Sequence, residues 1–225
     1  MVKIWKKEFE IDELNLFSKE SIVGNTGIEF LEKGKDLFTT AKQVLQAKPE
    51  FIQLRAKKSS SKDFLYTALK LSKMAKKYKV KFLINDRADI AQAAEADGLH
   101  LGEKDLPVKY AKKILGRKAI IGKTVHFFKE ALNSLKEPLD YVSIGPVFKT
   151  SLKPHLKPLG IKEALKIYSL FKNKKITPFL IGGLNLERIR LLLKRDLHNF
   201  VLCREIILNE NPQKKLQELK EAILN

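Results

Sequence analysis

The chain has 225 residues, 44% of them hydrophobic, a single cysteine, and a formal net charge of +18 from 44 Lys+Arg against 26 Asp+Glu. That length and apolar content suit one sizeable core in a single domain spanning residues 1–225, and one cysteine excludes an internal disulfide. No apolar run reaches the roughly 18 residues of a membrane span, and Met1–Lys7 shows no signal-peptide pattern, so a cytoplasmic protein with no membrane partner is expected.

The basic excess is spread over solvated faces such as Lys73–Lys79, Lys112-Lys113 and Lys172–Lys175. The motifs of the common nucleic-acid modules are absent, so specific nucleic-acid binding is not expected. Nothing in the pattern decides between a monomer and a homo-oligomer.

In chain order, short β-branched or aromatic runs alternate with amphipathic segments, the pattern of βαβ units and a parallel sheet. Strands are predicted over Glu13–Phe17, Phe51–Arg55, Val80–Asn85, Gly98–Leu101, Ala119–Lys123, Tyr141–Gly145, Pro178–Ile181 and Asn199–Cys203. Residues 1–48 are the least regular part, holding the first β/α unit and a Gly-containing stretch, Ser21–Gly27, that suits a loop over a barrel mouth. Helical spacing is clear where Phe64, Ala68, Leu71 and Ala75 share a face, and where Ile161, Leu165 and Tyr168 share another. Asn211-Pro212 opens the last helix with a cap and a first-turn proline, followed by Leu216, Leu219 and Ile223. Eight β/α pairs at this length predict a single-domain α/β fold, the closed (β/α)8 TIM barrel.

In such a barrel the chemistry sits where strands end and loops begin. The second strand ends in Gln53-Leu54-Arg55-Ala56-Lys57, where alternation puts Gln53 and Arg55 on one side and two cations suit a phosphate or diphosphate. The third ends in Asn85-Asp86, and the fourth leads through Gly102 to Asp105. Neighbouring parallel strands lie about 4.8 Å apart, close enough for Asp86 and Asp105 to share a hard cation such as Mg²⁺. Taken alone, each acid also fits a helix cap or a loop position. The fifth strand supplies Thr124, the loop after the sixth carries Thr150 and Lys153, and the seventh ends in Gly182-Gly183, where backbone amides can approach a phosphate. His100 alternates with Gly98 and Gly102 and should point into the barrel as a hydrogen-bonded core histidine. Cys203 reads as a small apolar strand residue.

These motifs resemble the thiamine phosphate synthase family over roughly residues 51–206. The resemblance is carried by Gln53–Lys57, Ile84–Arg87, Asp97–Gly102 with Asp105, Gly145–Phe148 with Thr150 and Lys153, and Ile181–Leu184. It implies a Mg²⁺-dependent transferase that joins a pyrimidinylmethyl diphosphate to a thiazole phosphate, giving thiamine phosphate and diphosphate. It further implies that Gln53, Arg55, Lys57, Asn85, Thr124 and Lys153 bind the pyrimidine diphosphate, with Arg55, Lys57 and Lys153 stabilising the leaving group. Asp86 and Asp105 would hold Mg²⁺, while Thr150, Gly183 and the Cys203-Arg204 position would meet the thiazole phosphate.

Related thiazole tautomerases share the fold and use a histidine near His126 as an acid/base. They usually have histidine where this chain has Pro146, and they lack the acid at Asp105, so these two positions favour the synthase. Leu152 stands where the family usually has Thr or Ser, Arg204 stands where it has Ser, and Asp196–Asn199 replaces a small, Gly-containing approach to the last strand. A tautomerase-like paralogue and a noncatalytic phosphate-binding barrel are the alternative readings.

Overall fold

The computed structural model describes residues 13–17, 36–57, 59–151, 156–202 and 204–224. Eight strands close into one barrel in sequence order: β1 (Glu13–Phe17), β2 (Phe51–Arg55), β3 (Lys81–Asn85), β4 (Gly98–Leu101), β5 (Ile120–Val125), β6 (Tyr141–Ile144), β7 (Thr177–Ile181) and β8 (Phe200–Leu202). Every predicted strand is present, three with the predicted bounds and the other five with ends moved by one or two residues. Strands β2 through β8 are mutually parallel. One expectation is corrected: β1 runs antiparallel to both neighbours, pairing Glu13 with Arg55 and Leu16 with Leu202. Periodicity marks a strand without marking its direction, and an edge-to-edge gap between β2 and β8 accepts hydrogen bonds from either polarity. The Ser21–Gly27 stretch lies outside the described residues.

The connecting helices are α1 (Leu37–Gln46), α2 (Ser61–Tyr78), α3 (Ala88–Ala93), α4 (Val108–Leu115), α5 (Phe128–Ser134), α6 (Gly160–Leu170) and α7 (Leu186–Leu193), followed by a short α8 (Arg204–Ile207) and α9 (Pro212–Leu224). Helix α1 falls in the stretch that sequence reading left irregular. Its start was legible, since Asp36 accepts from Thr39 N at 2.7 Å as an N-cap and Leu37, Ala41, Val44 and Leu45 bury one face. Ser60 caps α2 in the same way at 3.1 Å, and the predicted faces of α2 and α9 are the ones buried, whereas α6 buries Ala164 and Ile167 and leaves Leu165 of the expected Ile161–Leu165–Tyr168 face exposed. No described helix is long and apolar enough to cross a membrane.

The barrel interior departs from a purely aliphatic filling. In register, His100 faces Gly122 and Gly122 faces Tyr141. A Cβ on Gly122 would lie 1.9 Å from the Tyr141 ring, so the missing side chain is what lets the β4 imidazole and the β6 phenol meet across β5. Their rings stack at 5.6 Å, and Phe179 closes the far side edge-on at 5.7 Å. His100 therefore does point into the barrel, hydrogen-bonded and buried, as the alternation predicted.

Gly122→Ala is expected to destabilise the fold by about 1–3 kcal/mol, the usual cost of forcing atoms into a packed core. Urea unfolding followed by circular dichroism measures it, and a variant within about 0.5 kcal/mol of the native protein would show that the Tyr141 ring is not locked against β5.

Candidate active site at the barrel mouth

At the carboxyl end of β3 the chain turns sharply. Asp86 takes φ +65°, a left-handed conformation that aspartate tolerates, and its N–H donates to the His100 carbonyl at 2.8 Å. The turn lifts the Asp86 carboxylate over the barrel rim, where Lys57 pairs with it at 2.7 Å. From the next strand, Asp105 folds back so that its carboxylate accepts from Gly102 N at 2.6 Å. A Cβ on Gly102 would stand 2.9 Å from that same oxygen, so glycine makes the return possible. The two carboxyl groups end hydrogen-bonded to one another.

Two acids that meet on partly buried ground cannot both ionise cheaply. Burial, followed by the contact with Asp105, pushes Asp86 up to about 6 from 3.8, against the opposing pull of Lys57. Burial acts upward on Asp105 too, but its bonds to Asp86 and to Gly102 N–H, with the nearby Lys57 charge, leave it below its ordinary value. The pair thus retains one proton to a pH at which free carboxylates have lost theirs. Hard oxygen donors held together at such a cost fit a divalent cation, whose charge would offset their repulsion.

The other strand ends converge beside this pair. Asn85 is buried at the top of β3 and Arg55 half-buried at the end of β2, while Gln53 is buried within the barrel, level with Leu83. A cavity of about 100 Å³ opens between β5, β6, β7 and β8, lined among others by Thr124, His126, Thr150, Gly183 and Arg204. His126 donates from Nδ1 to the Gly145 carbonyl at 2.5 Å, which fixes its ring at the cavity wall. Gly182 and Gly183 have φ of +96° and +65°. A Cβ on Gly182 would meet Pro146 at 2.5 Å, and one on Gly183 the Lys149 carbonyl at 2.5 Å. No larger residue fits this turn, and its backbone is laid open to the cavity.

Arg204 reaches across the cavity rim to donate to Ser151 Oγ. Its neighbour Glu205 is held by Lys215 at 3.1 Å, away from a role as a free negative charge in the cavity.

The structure thus brings together Lys57, Asp86 and Asp105 in one cluster, and Thr124, Thr150, Gly183 and Arg204 around one cavity. Lys153, Cys203 and Leu152 lie outside the described residues. Sequence reading missed Tyr141 and Ser143, which stand inside the barrel behind Thr124. Alternation from Gly145 places Tyr141 and Ser143 on one face, but only the pairing register shows what that face meets.

A family model described as thiamine monophosphate synthase matches residues 23–206. A thiamine-phosphate synthase of Fusobacterium nucleatum is 38% identical over 185 residues, covering 82% of this chain and 88% of that protein. One from Prochlorococcus marinus is 34% identical over 213 residues, 94% of this chain, but the match spans only 60% of that longer protein. Among solved structures, a thiamine phosphate pyrophosphorylase from Pyrococcus furiosus superposes with a TM-score of 0.74 at 28% identity, covering 86% of this chain and 94% of its own.

The carboxylate pair has a consequence for stability. Below about pH 4 both folded and unfolded chains protonate Asp86 and its burial costs nothing; between 3.8 and about 6 the unfolded chain ionises it while the folded one resists, so stability falls as pH rises through that window. In chelator-treated protein, Asp86→Asn should abolish this fall and melt higher than the native chain above pH 6. Equal melting temperatures at pH 7.5 would show that the two carboxylates do not repel.

Proposed function

This chain belongs to the thiamine monophosphate synthase family, and we propose that its barrel mouth couples 4-amino-2-methyl-5-pyrimidinylmethyl diphosphate to a thiazole phosphate through the residues gathered there. It is a transferase of thiamine biosynthesis that joins a pyrimidine to a thiazole moiety. The observation that carries the assignment of residues is the Asp86–Asp105 carboxylate pair beside Lys57, next to a cavity floored by the open Gly182-Gly183 backbone.

The reaction breaks the bond between the pyrimidine methylene carbon and the diphosphate oxygen. The electron pair leaves with diphosphate, and the aminopyrimidine stabilises the methylene cation until the thiazole nitrogen attacks with its own lone pair. No general base is required, which accounts for a site rich in cations and without a nucleophile dyad. The protein's task is to stabilise charge growing on the departing group. Arg55, Lys57 and Lys153 supply cations for it, with Gln53, Asn85 and Thr124 holding the pyrimidine.

Asp86 and Asp105 are the residues that would hold Mg²⁺, which when bound neutralises diphosphate oxygens. No group of three or more His, Cys, Asp or Glu stands together among the described residues. Two protein carboxylates with the remaining oxygens from diphosphate and water is the usual manner of magnesium with phosphate substrates. Lys57, now paired with Asp86 at 2.7 Å, would be able to turn toward the diphosphate once Asp86 served the cation.

On the thiazole side, Thr150 and the Gly183 backbone would face the phosphate, with Arg204 on the wall of the same cavity. The guanidinium of Arg204 substitutes a bidentate phosphate donor for the hydroxyl that Leu152 lacks. We place the reaction in the cytoplasm, acting on small-molecule substrates. The tautomerase alternative has no support at Pro146, which packs against Gly182 where that reading needs an imidazole.

Incubation with both substrates and Mg²⁺, read by mass detection of thiamine phosphate, tests the activity; no product would leave a noncatalytic phosphate-binding barrel. Asp86→Asn and Asp105→Asn should each lose most of the activity and need more Mg²⁺, and the double variant should be little worse than either, because the pair acts as one unit. Full activity in either single variant removes the metal site. Arg204→Ser should raise the KM for thiazole phosphate about tenfold, the loss of roughly 1.5 kcal/mol from a charge-assisted hydrogen bond, with the KM for pyrimidine diphosphate unchanged. An unaltered thiazole phosphate KM would place the guanidinium outside the phosphate site.

A further inference from the structure

Arg188 stands on the first turn of α7, outside every sequence motif and outside the cavity wall, yet three contacts commit it. Its N–H donates to Asn185 Oδ1 at 2.9 Å, the cap that starts the helix. Its half-buried guanidinium lies over the Phe148 ring, 4.8 Å from the centroid. The same guanidinium donates to the Gly183 carbonyl. A side chain that the chemistry above does not use is thus fastened to the turn that floors the cavity.

We infer that Arg188 is a positioning residue: by holding the Gly183 carbonyl on the far side of the turn, it aims the Leu184 N–H into the cavity as a further backbone donor to an anionic ligand. The inference rests on the reading of this cavity as the thiazole phosphate site, and adds to that site the Leu184 donor and the side chain that orients it.

A trans peptide carries its C=O and its N–H on opposite edges. The carbonyl edge of the Gly183-Leu184 peptide faces Arg188, which does not line the cavity, whereas Gly183 and Leu184 both do. The N–H edge is therefore the one turned inward. The preceding peptide is fixed in a similar way, because the Gly182 carbonyl accepts from Phe148 N at 3.1 Å and the Gly183 N–H points away from that loop. Among the described residues neither N–H finds an acceptor. Successive N–H groups of a turn, left without internal partners, form a concavity for an anion.

The turn needs such a brace because glycine leaves it free. A residue without Cβ lets the following peptide flip at little cost, and a flip at Gly183 would put a carbonyl dipole where the anion is to sit. A guanidinium has donors and no acceptor, so it holds a carbonyl and never an N–H, and selects one of the two orientations. Phe148 supports it from both directions. Its ring carries the guanidinium, its N–H holds the Gly182 carbonyl, and its Cβ would stand 2.9 Å from any Cβ placed on Gly183.

Inorganic phosphate titrated into substrate-free, ¹⁵N-labelled protein should move the Gly183 and Leu184 amide protons downfield together. Arg188→Met, which keeps an apolar contact with Phe148 but has no donor, should lose the Leu184 response, while Arg188→Gln, whose neutral amide can still donate to the Gly183 carbonyl, should keep it. A Leu184 amide that ignores phosphate in the native protein overturns the proposal. So does an undiminished response in the Met variant, and so do equal losses in the Gln and Met variants, which would assign the effect to charge or packing. In steady-state kinetics Arg188→Met should raise the KM for thiazole phosphate about tenfold, or about 1.4 kcal/mol, with kcat and the KM for pyrimidine diphosphate unchanged, and Arg188→Gln should recover most of that loss. Losses shared by both substrates would mark a merely structural residue and defeat the positioning role. A native protein whose Leu184 amide responds to phosphate in this Arg188-dependent way but makes no thiamine phosphate keeps the inference and refutes the proposed function instead, so the two failures are distinguishable.

Discussion

The rest of the mouth is organised around the enforced meeting of two carboxylates. Asp86 is carried to it by a left-handed turn tied to the β4 backbone, and Asp105 by a loop that closes on Gly102. Burial first, and then the contact with Asp105, holds Asp86 above the ordinary carboxylate range. Repulsion of this kind, stored in a folded framework, becomes useful when a cation and a polyanionic substrate arrive together. Lys57 holds the arrangement meanwhile, with its ammonium half exposed and free to turn toward solvent or substrate.

Around that pair the barrel divides its mouth by charge and by shape. Strands β2 to β4 deliver cations and acids suited to diphosphate and metal, whereas β5 to β8 deliver hydroxyls, glycines and one guanidinium around a cavity. The division fits the two substrates of the proposed reaction. A leaving diphosphate needs formal positive charge, while a bound phosphate ester is served by backbone N–H groups at a glycine turn, which cost no reorganisation when the ligand enters. The high net positive charge of the chain is a separate matter. Some of its pairs, such as Lys76 with Glu95 and Lys172 with Asp196, are exposed ones of small energetic weight.

The barrel interior is not uniform. A packed core could have been built from aliphatic side chains alone, and on the outward face of the barrel it largely is, where Ile52, Ile121 and Leu180 alternate with the inward-facing Gln53, Gly122 and Phe179 and are fully buried. The layer that holds His100 and Tyr141 is different, since every polar atom there needs a partner once water is excluded. Satisfying those partners links four strands, and the last partner is a residue of the cavity wall.

Much of this was legible in the order of residues. Period-two runs located all eight strands, because burial on a pleated sheet requires that period, and the polar residues at their ends announced where a barrel keeps its chemistry. The motifs around Gln53–Lys57, Asn85-Asp86, Asp105 and Gly182-Gly183 specified the family. What lay beyond the sequence was anything set by pairing across strands. The antiparallel sense of β1, the closure of Asp86 on Asp105, the clasp of Arg204 on Ser151 and the contact of His100 with Tyr141 over Gly122 each join residues 19 to 186 positions apart. A local pattern determines which face a side chain takes, because that depends on its near neighbours in the chain. Which group it meets there is decided only when the strands have chosen their direction and register.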